Sequence, residues 1–261
     1  MSFTVRKDPE YLTSSVLTVP HCFSTRHGGV SEGYLSSLNL GTHRGDDRAN
    51  VEQNYRLLGA SVGFDPETLV FTHQTHTDRV VKVGKAHCGD GLRREVTQER
   101  DGLITDEPGV TLTVFSADCT PILLHDPEHH AIGAVHSGWR GTAAGIVRKA
   151  VEKMTAEYGT DPSVLEAAIG PCIGKCCFET HRDVPDAMIN ALGDAALCAI
   201  FDDGNGKYHI DLKELNRLWL TLAGVKKIDV SADCTACQPE RFWSHRRVGN
   251  ARGSLAAIIR L

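Results

Sequence analysis

Apolar positions recur along this chain in two rhythms, and the points where the rhythm changes predict its elements. In RANVEQNYRLLGASVG, Val51, Asn54, Tyr55 and Leu58 fall at helical spacing and a glycine closes the run, which predicts an amphipathic helix from about 48 to 61. The runs LVFTH, RVVKV, GLITD and TLTVFS are short, rich in β-branched residues and bounded by Asp, Gly or Pro, so they read as strands. GTAAGIVRKAVEKMTAEYG sets Ile146, Val147, Ala150, Val151 and Met154 on one helical face behind Thr142 as its cap. DLKELNRLWLTLAG does the same behind Asp211, with Leu212, Leu215, Leu218, Trp219 and Leu222 as the apolar face. Residues 22–47 have no period and are crowded with Gly, Ser, Asn and His, so they read as a long loop of the kind that often carries function. Helices and strands follow in irregular order, which predicts an α+β fold with packed mixed β-sheets and peripheral helices. No repeat or long flexible linker divides the chain, so residues 1–261 are read as a single domain.

One pair of apolar runs also carries chemistry. PILLHDPEHHAIGAVHS has a turn-forming DPEHH at its middle and should fold as an antiparallel hairpin. With the turn centred near Pro127 and Glu128, paired residue numbers sum to about 255 to 257. That sets His136 opposite a residue between 119 and 121, a window that includes Cys119. Opposed residues on antiparallel strands have Cα atoms roughly 4.5 to 5.5 Å apart, so a thiol and an imidazole there could share a metal. A catalytic zinc usually takes three protein ligands, and HQTHTDRV offers His73 and His76 at a strand end. Spacing alone does not choose between them.

Composition narrows the class. A chain of 261 residues with 41% hydrophobic content can bury a core without disulfides. A net charge of -5, with Lys and Arg scattered, gives no basic patch for nucleic acid. The first residues lack the apolar core of a signal peptide, and no apolar run is long enough to span a bilayer, so a cytoplasmic protein without a membrane partner is expected. Nine cysteines, an odd number with Cys176 and Cys177 adjacent, suit a reducing compartment. Thirteen histidines add to the supply of zinc and copper ligands.

The blocks FSTRHGGVSEG, QTH, SADCTPILL, AVHSGWRGTAAGI, GPCIG and FWSHRR occur in one order. Together they resemble the YfiH-like family, also called laccase-domain or multicopper polyphenol oxidase proteins and, in bacteria, peptidoglycan editing factors. The resemblance runs over nearly the whole chain and implies a CNF1/YfiH-like α+β fold. It also implies metal ligands in the Q-x-H, A-D-C and H-x-G-W-R blocks, which correspond to His76, Cys119 and His136 and so select His76 over His73. The implied activity is that of a purine nucleoside phosphorylase using phosphate with adenosine, inosine, guanosine or methylthioadenosine, and adenosine deamination as a companion. The family's last block ends in T-G-R, whereas this chain has Asn250, Ala251 and Arg252.

Chemistry sorts these implications. The paired His-x-His motifs of a multicopper oxidase are absent, and the only adjacent histidines, His129 and His130, fall in the hairpin turn. Zinc is therefore the expected metal, with copper able to occupy a vacant site. Deamination suits zinc, because the metal can lower the pKa of bound water to about 7, and Asp118 offers a carboxylate beside Cys119. Strand alternation would turn Asp118 to the opposite face, in a structural role. Phosphorolysis needs an anion held against the ribose, and the SGWRG loop should present helix N-H groups near the metal. Arg26 and Asn39 are the catalytic candidates, one for phosphate and one for substrate hydroxyls, and Arg140 and Arg246 are further phosphate or substrate candidates. A structural salt bridge at each arginine and a turn-stabilising role for Asn39 are the competing readings. Cys234 and Cys237 form a lone CxxC that could join Cys172 or Cys176 around a structural zinc, although GPCIGKCC reads more simply as a glycine-rich turn with packed thiols. Editing of peptidoglycan precursors, copper-dependent polyphenol oxidation and non-catalytic metal binding are the alternative functions.

Overall fold

The computed structural model describes residues 3–261, where β-branched runs become strands and capped periodic runs become helices. The first part holds β1 (Phe3–Arg6), β2 (Tyr11–Ser14), β3 (His21–Ser24), α1 (Arg48–Val62), β4 (Leu69–Phe71) and β5 (Val80–Lys82). Then come β6 (Gly102–Thr105), β7 (Thr111–Ser116), β8 (Thr120–Asp126), β9 (Ala131–Ser137), α2 (Trp139–Ala143), α3 (Ile146–Tyr158) and β10 (Glu166–Ile169). The last part holds β11 (Glu179–Thr180), α4 (Asp183–Leu192), β12 (Ile200–Asp202), β13 (Tyr208–Ile210), α5 (Leu212–Leu222), β14 (Lys227–Val230), α6 (His245–Val248) and β15 (Leu255–Arg260). Among the described residues, no helix is long and apolar enough to cross a membrane.

The strands form a six-stranded sheet in the order β1-β2-β3-β15-β7-β4, a second in the order β14-β10-β8-β9-β6-β5, and a small sheet β11-β13-β12. Both large sheets are mixed, as expected: β4–β7, β5–β6 and β10–β14 are parallel pairs among antiparallel ones. Alternation explains how they stack. Leu123 of β8 joins Phe23, Val114 and Ala257 between the two large sheets, while its neighbours Ile122 and Leu124 face Val147, Val151 and Trp219 of α3 and α5. On β15, Ala257 and Ile259 point into the inter-sheet core, and Ala256 and Ile258 meet Val51, Tyr55 and Leu58 of α1. The result is helix, sheet, sheet, helix.

Helix α1 follows the expected pattern closely. Asp47 caps it by accepting from the Ala49 N-H, and Gly63 ends it at φ 96°, with its N-H on Gly59 O. Asn54, buried on the apolar face, accepts from Val30 N and donates to Ser31 and to Asn39 O, so it fastens the preceding loop.

Three expectations need correcting. The loop does not begin at residue 22, because His21–Ser24 is a fully buried strand paired with both β2 and β15. Thr142 does not cap the long helix: Gly145 at φ 68° breaks the chain into α2 and α3, and Thr142 lies inside α2, bonded to Ser137 and Asn216. The apolar face of α5 is rotated, with Asn216 and Leu220 buried while Leu222 is 62% exposed. Asn216 turns inward because Ser137, Thr142 and the Leu212 carbonyl satisfy its amide.

The hairpin pairs Asp126 with Ala131 and continues to Thr120 with Ser137, so His136 lies opposite Pro121 and Cys119 just precedes the strand. That turn, Ala117–Asp118–Cys119, carries the chain from the first sheet into the second. The 72–79 connection from β4 to β5 makes the same crossing.

Candidate metal centre and its cavity

The three expected ligands converge where these two crossings meet the end of β9. The ligand atoms of His76, Cys119 and His136 lie within 4.8 Å of one another. Cys119 Sγ is 3.8 Å from His76 Nε2, and the two imidazole rings meet edge to face at 5.0 Å. His136 is buried, Cys119 half-buried and His76 exposed, so the group opens on one side. Three protein ligands with one open side is the arrangement of catalytic zinc sites.

A residue that sequence reading missed, Asp101, builds this geometry. One carboxylate oxygen accepts from His136 Nδ1 at 2.8 Å and from the His76 backbone N-H at 3.1 Å, and the other from the N-H groups of Thr75 and Thr77 and the Thr77 hydroxyl. Three successive N-H groups wrapped around one carboxylate bend the chain so that His76 takes φ 63°. Gln74 fixes the same segment from the other side, accepting from Phe115 N and donating to Phe115 O. Both histidines are thus oriented by one buried carboxylate. Engagement of His136 Nδ1 leaves its Nε2 as the atom available to a metal.

Metal fits the space. A Cβ built on Gly138 would stand 2.9 Å from His76 Cδ2 and 3.2 Å from Cys119 Sγ, so glycine keeps that pocket open. Electrostatics agree. Burial alone would raise the Cys119 thiol, but His136 and His76 outweigh it and bring it down to about 6. Burial would lower His136, yet the Cys119 and Asp101 charges push it up to about 9. Asp101 itself, despite burial, is held at about 2 by His136 and the Thr77 bonds. Without a cation the group is a thiolate beside an imidazolium, and a metal ion can replace the imidazolium proton.

In chelator-treated protein, alkylation of Cys119 by iodoacetamide should rise with pH through about 6 rather than near the ordinary 9. Mass mapping of the Cys119 peptide across a pH series checks this, and a midpoint near 9 would mean that the histidines do not hold the thiolate.

Beside the centre lies a cavity of about 740 Å³ lined by segments from 41–51, 71–76, 91–96, 115–119 and 252–254. Arg252, only 8% exposed, donates to Gly253 O, and its Nε is buried without a partner. Burial and the neighbouring Arg44 guanidinium bring Arg252 down to about 10. Arg44 is also on the wall, as are His43 and His73.

The other expected residues sit elsewhere. Arg26 stacks on Trp243 at 3.8 Å and spends its donors on Ser36 O and Pro239 O. Asn39 is wholly buried beneath the cavity wall, bonded to Gly41, Asp46 and Ser254. Arg140 is exposed on α2 against Trp139, and Arg246 donates to Glu179 O. None of the four lines the cavity. Asp118 accepts from Thr235 Oγ1 and from the Arg246 backbone N-H, which occupies its carboxylate structurally.

Comparison with known proteins follows the same lines. The model of a family described as multi-copper polyphenol oxidoreductase laccase matches residues 20–261. A Bacteroides thetaiotaomicron protein named purine nucleoside phosphorylase is 37% identical over 250 residues, covering 94% of this chain and 93% of its own. A protein from an unknown prokaryotic organism, named adenosine deaminase RL5, is 34% identical and covers 91% and 93%. The crystal structure of the Bacillus licheniformis hypothetical protein YfiH superposes with a TM-score of 0.93 at 35% identity, covering 98% of both chains. Shared sequence over nine-tenths of the length and a shared arrangement of mixed sheets lead to one conclusion: the chain belongs to the multi-copper polyphenol oxidoreductase laccase family, the YfiH-like group.

Proposed function

We propose that this protein is a zinc-dependent purine nucleoside phosphorylase, with adenosine, inosine, guanosine and methylthioadenosine as substrates. The observation that carries the reading is Arg252, a buried guanidinium with an unpartnered Nε on the wall of a cavity that also exposes the His76–Cys119–His136 group. Burial lowers the basicity of both Arg44 and Arg252, and the Arg44 charge lowers Arg252 further; a bound anion relieves both, and phosphate is the anion that phosphorolysis consumes. The printed name of the Bacteroides relative supports the same activity.

Phosphorolysis forms a bond from a phosphate oxygen to C1′ as the bond from C1′ to the purine nitrogen breaks, leaving ribose 1-phosphate and free base. Arg252 and Arg44 hold the phosphate, taking the role that sequence reading gave to Arg26. The apolar wall of Phe71, Leu92, Val96 and Phe115 accommodates the base. When bound, the metal supplies a Lewis acid for charge developing on the substrate. His76, Cys119 and His136 hold it, and Asp101 keeps His136 in the tautomer that presents Nε2.

Incubation of zinc-loaded protein with inosine and phosphate should release hypoxanthine and ribose 1-phosphate, and absence of both products sinks the reading. Arg252→Met should raise KM for phosphate by about tenfold to a hundredfold, the worth of a charge-assisted hydrogen bond. Initial rates at varied phosphate and saturating inosine measure it. A second reading, adenosine deamination at the same centre, is supported by the name of the RL5 relative. Inosine formed from adenosine without phosphate is its signature.

A further inference from the structure

A second cluster of soft ligands lies outside the cavity. The sulfur atoms of Cys176, Cys177, Cys234 and Cys237 all fall within 4.8 Å of one another. Cys237 Sγ is 3.4 Å from Cys176 Sγ and 3.3 Å from Cys177 Sγ, and all four are free thiols. From these positions we propose that the four cysteines bind one zinc ion as a closed, structural site, separate from the His76–Cys119–His136 centre.

The geometry needs little adjustment. A zinc–sulfur bond of about 2.3 Å in a tetrahedron sets sulfur atoms about 3.8 Å apart, between the closest contacts here and the outer bound of the cluster. The backbone is already arranged to hold the ligands. Cys172 and Cys234 form a β-bridge, with Thr235 N donating to Cys172 O, and this brings GPCIGKCC against the CxxC segment. Gly174 accepts from Cys177 N and Phe178 N in a tight turn and donates its own N-H to Cys234 Sγ at 3.1 Å, a bond that favours a thiolate. A Cβ on Gly174 would lie 3.2 Å from Cys176 Sγ and 3.2 Å from Cys234 Cβ, so glycine makes room for the approach. Cys172 stays out, its thiol on Ile173 O. The adjacent pair Cys176–Cys177 of GPCIGKCC supplies the two ligands that the lone CxxC lacks. Four thiolates select zinc over hard cations and leave no position open for substrate, which marks the site as structural.

What it would brace is also visible. Ile173 N donates to Asp118 O, and Thr235 Oγ1 to the Asp118 carboxylate, so both joined segments hold the turn that carries Cys119.

The test uses the full chain with Cys119→Ala, which removes the only thiol of the first centre. Purified under reducing conditions with zinc and then desalted, this variant should retain one zinc per chain by elemental analysis and native mass spectrometry. Cobalt in its place should give the intense visible bands and sulfur-to-metal charge transfer of tetrahedral thiolate coordination. Adding Cys177→Ser and Cys237→Ser should remove both signals. Cobalt titration of the single variant needs no change at the cluster and stays decisive where the triple variant fails to fold. The proposal is overturned if the single variant holds no zinc, if copper(I) displaces zinc as the retained metal, or if the four cysteines are recovered as disulfides. It stands independently of the proposed catalytic activity.

Discussion

Alanine at position 119 should leave the centre unable to hold metal and lower kcat/KM for inosine phosphorolysis by about a thousandfold or more. A single preorganised group aimed at developing charge is worth about 3 to 4 kcal/mol in a water-poor site, and the metal supplies at least as much. Its loss removes that whole contribution. The same substitution removes the thiolate charge that favours a cation beside His136, and two neutral imidazoles remain as ligands. Hypoxanthine release under excess phosphate measures turnover. Metal content is followed separately through His136, whose ring signals should stop responding to zinc. Full turnover by Cys119→Ala protein would remove the thiol from the mechanism.

Asp101→Asn is the second large effect, and it should act through two routes. Breaking a buried carboxylate–histidine pair costs about 3 to 5 kcal/mol of folding stability, because the remaining partners are left without a counter-charge. An asparagine also presents an amide N-H where Thr75, His76, Thr77 and His136 all donate, so at least one donor is stranded. Zinc affinity should fall by about tenfold to a hundredfold, the usual cost of losing the partner that orients a metal-bound histidine. The pH dependence has a definite sign. Because Asp101 is held at about 2 against an ordinary 3.8, its stabilisation is complete above about 3.8 and disappears as pH falls through about 2. Urea unfolding of chelated wild type and variant should therefore give curves that draw together across that window. A constant gap would mean that the carboxylate charge is not what stabilises the site.

Much of this site could be read from the chain because its parts are local. The hairpin turn set His136 opposite a residue between 119 and 121, a window that holds both its true partner Pro121 and Cys119, which just precedes the strand. Helix α1 was legible for the same reason: cap, period and closing glycine all lie within one segment. Asp101 left no such mark. It sits alone before β6, and its role exists only once residues 75–77, 24 to 26 positions away in sequence, fold around it. Arg44 and Arg252 are farther apart still, joined at the cavity through Ser254, whose hydroxyl accepts from Arg44 Nε and whose carbonyl accepts from Leu40 N. Arg26 of the FSTRHGG block stacks on Trp243, bonds to the Ser36 and Pro239 carbonyls and does not line the cavity, a placement that a motif alone does not reveal. Helix α5 misled for a different reason. Its period was right but its phase was not, since a satisfied asparagine can occupy a core position that apolar counting assigns to leucine.

The two sheet-to-sheet crossings that carry His76 and Cys119 give the centre a mechanical meaning. A metal shared by those residues and His136 would tie an edge connection of the sandwich to an interior one, so that the sheets could not shear at that end without stretching a coordination bond. At the far end the β6–β7 connection crosses between the sheets without these ligands. A metal bound at His76, Cys119 and His136 would therefore stiffen the cavity end of the sandwich more than the opposite end.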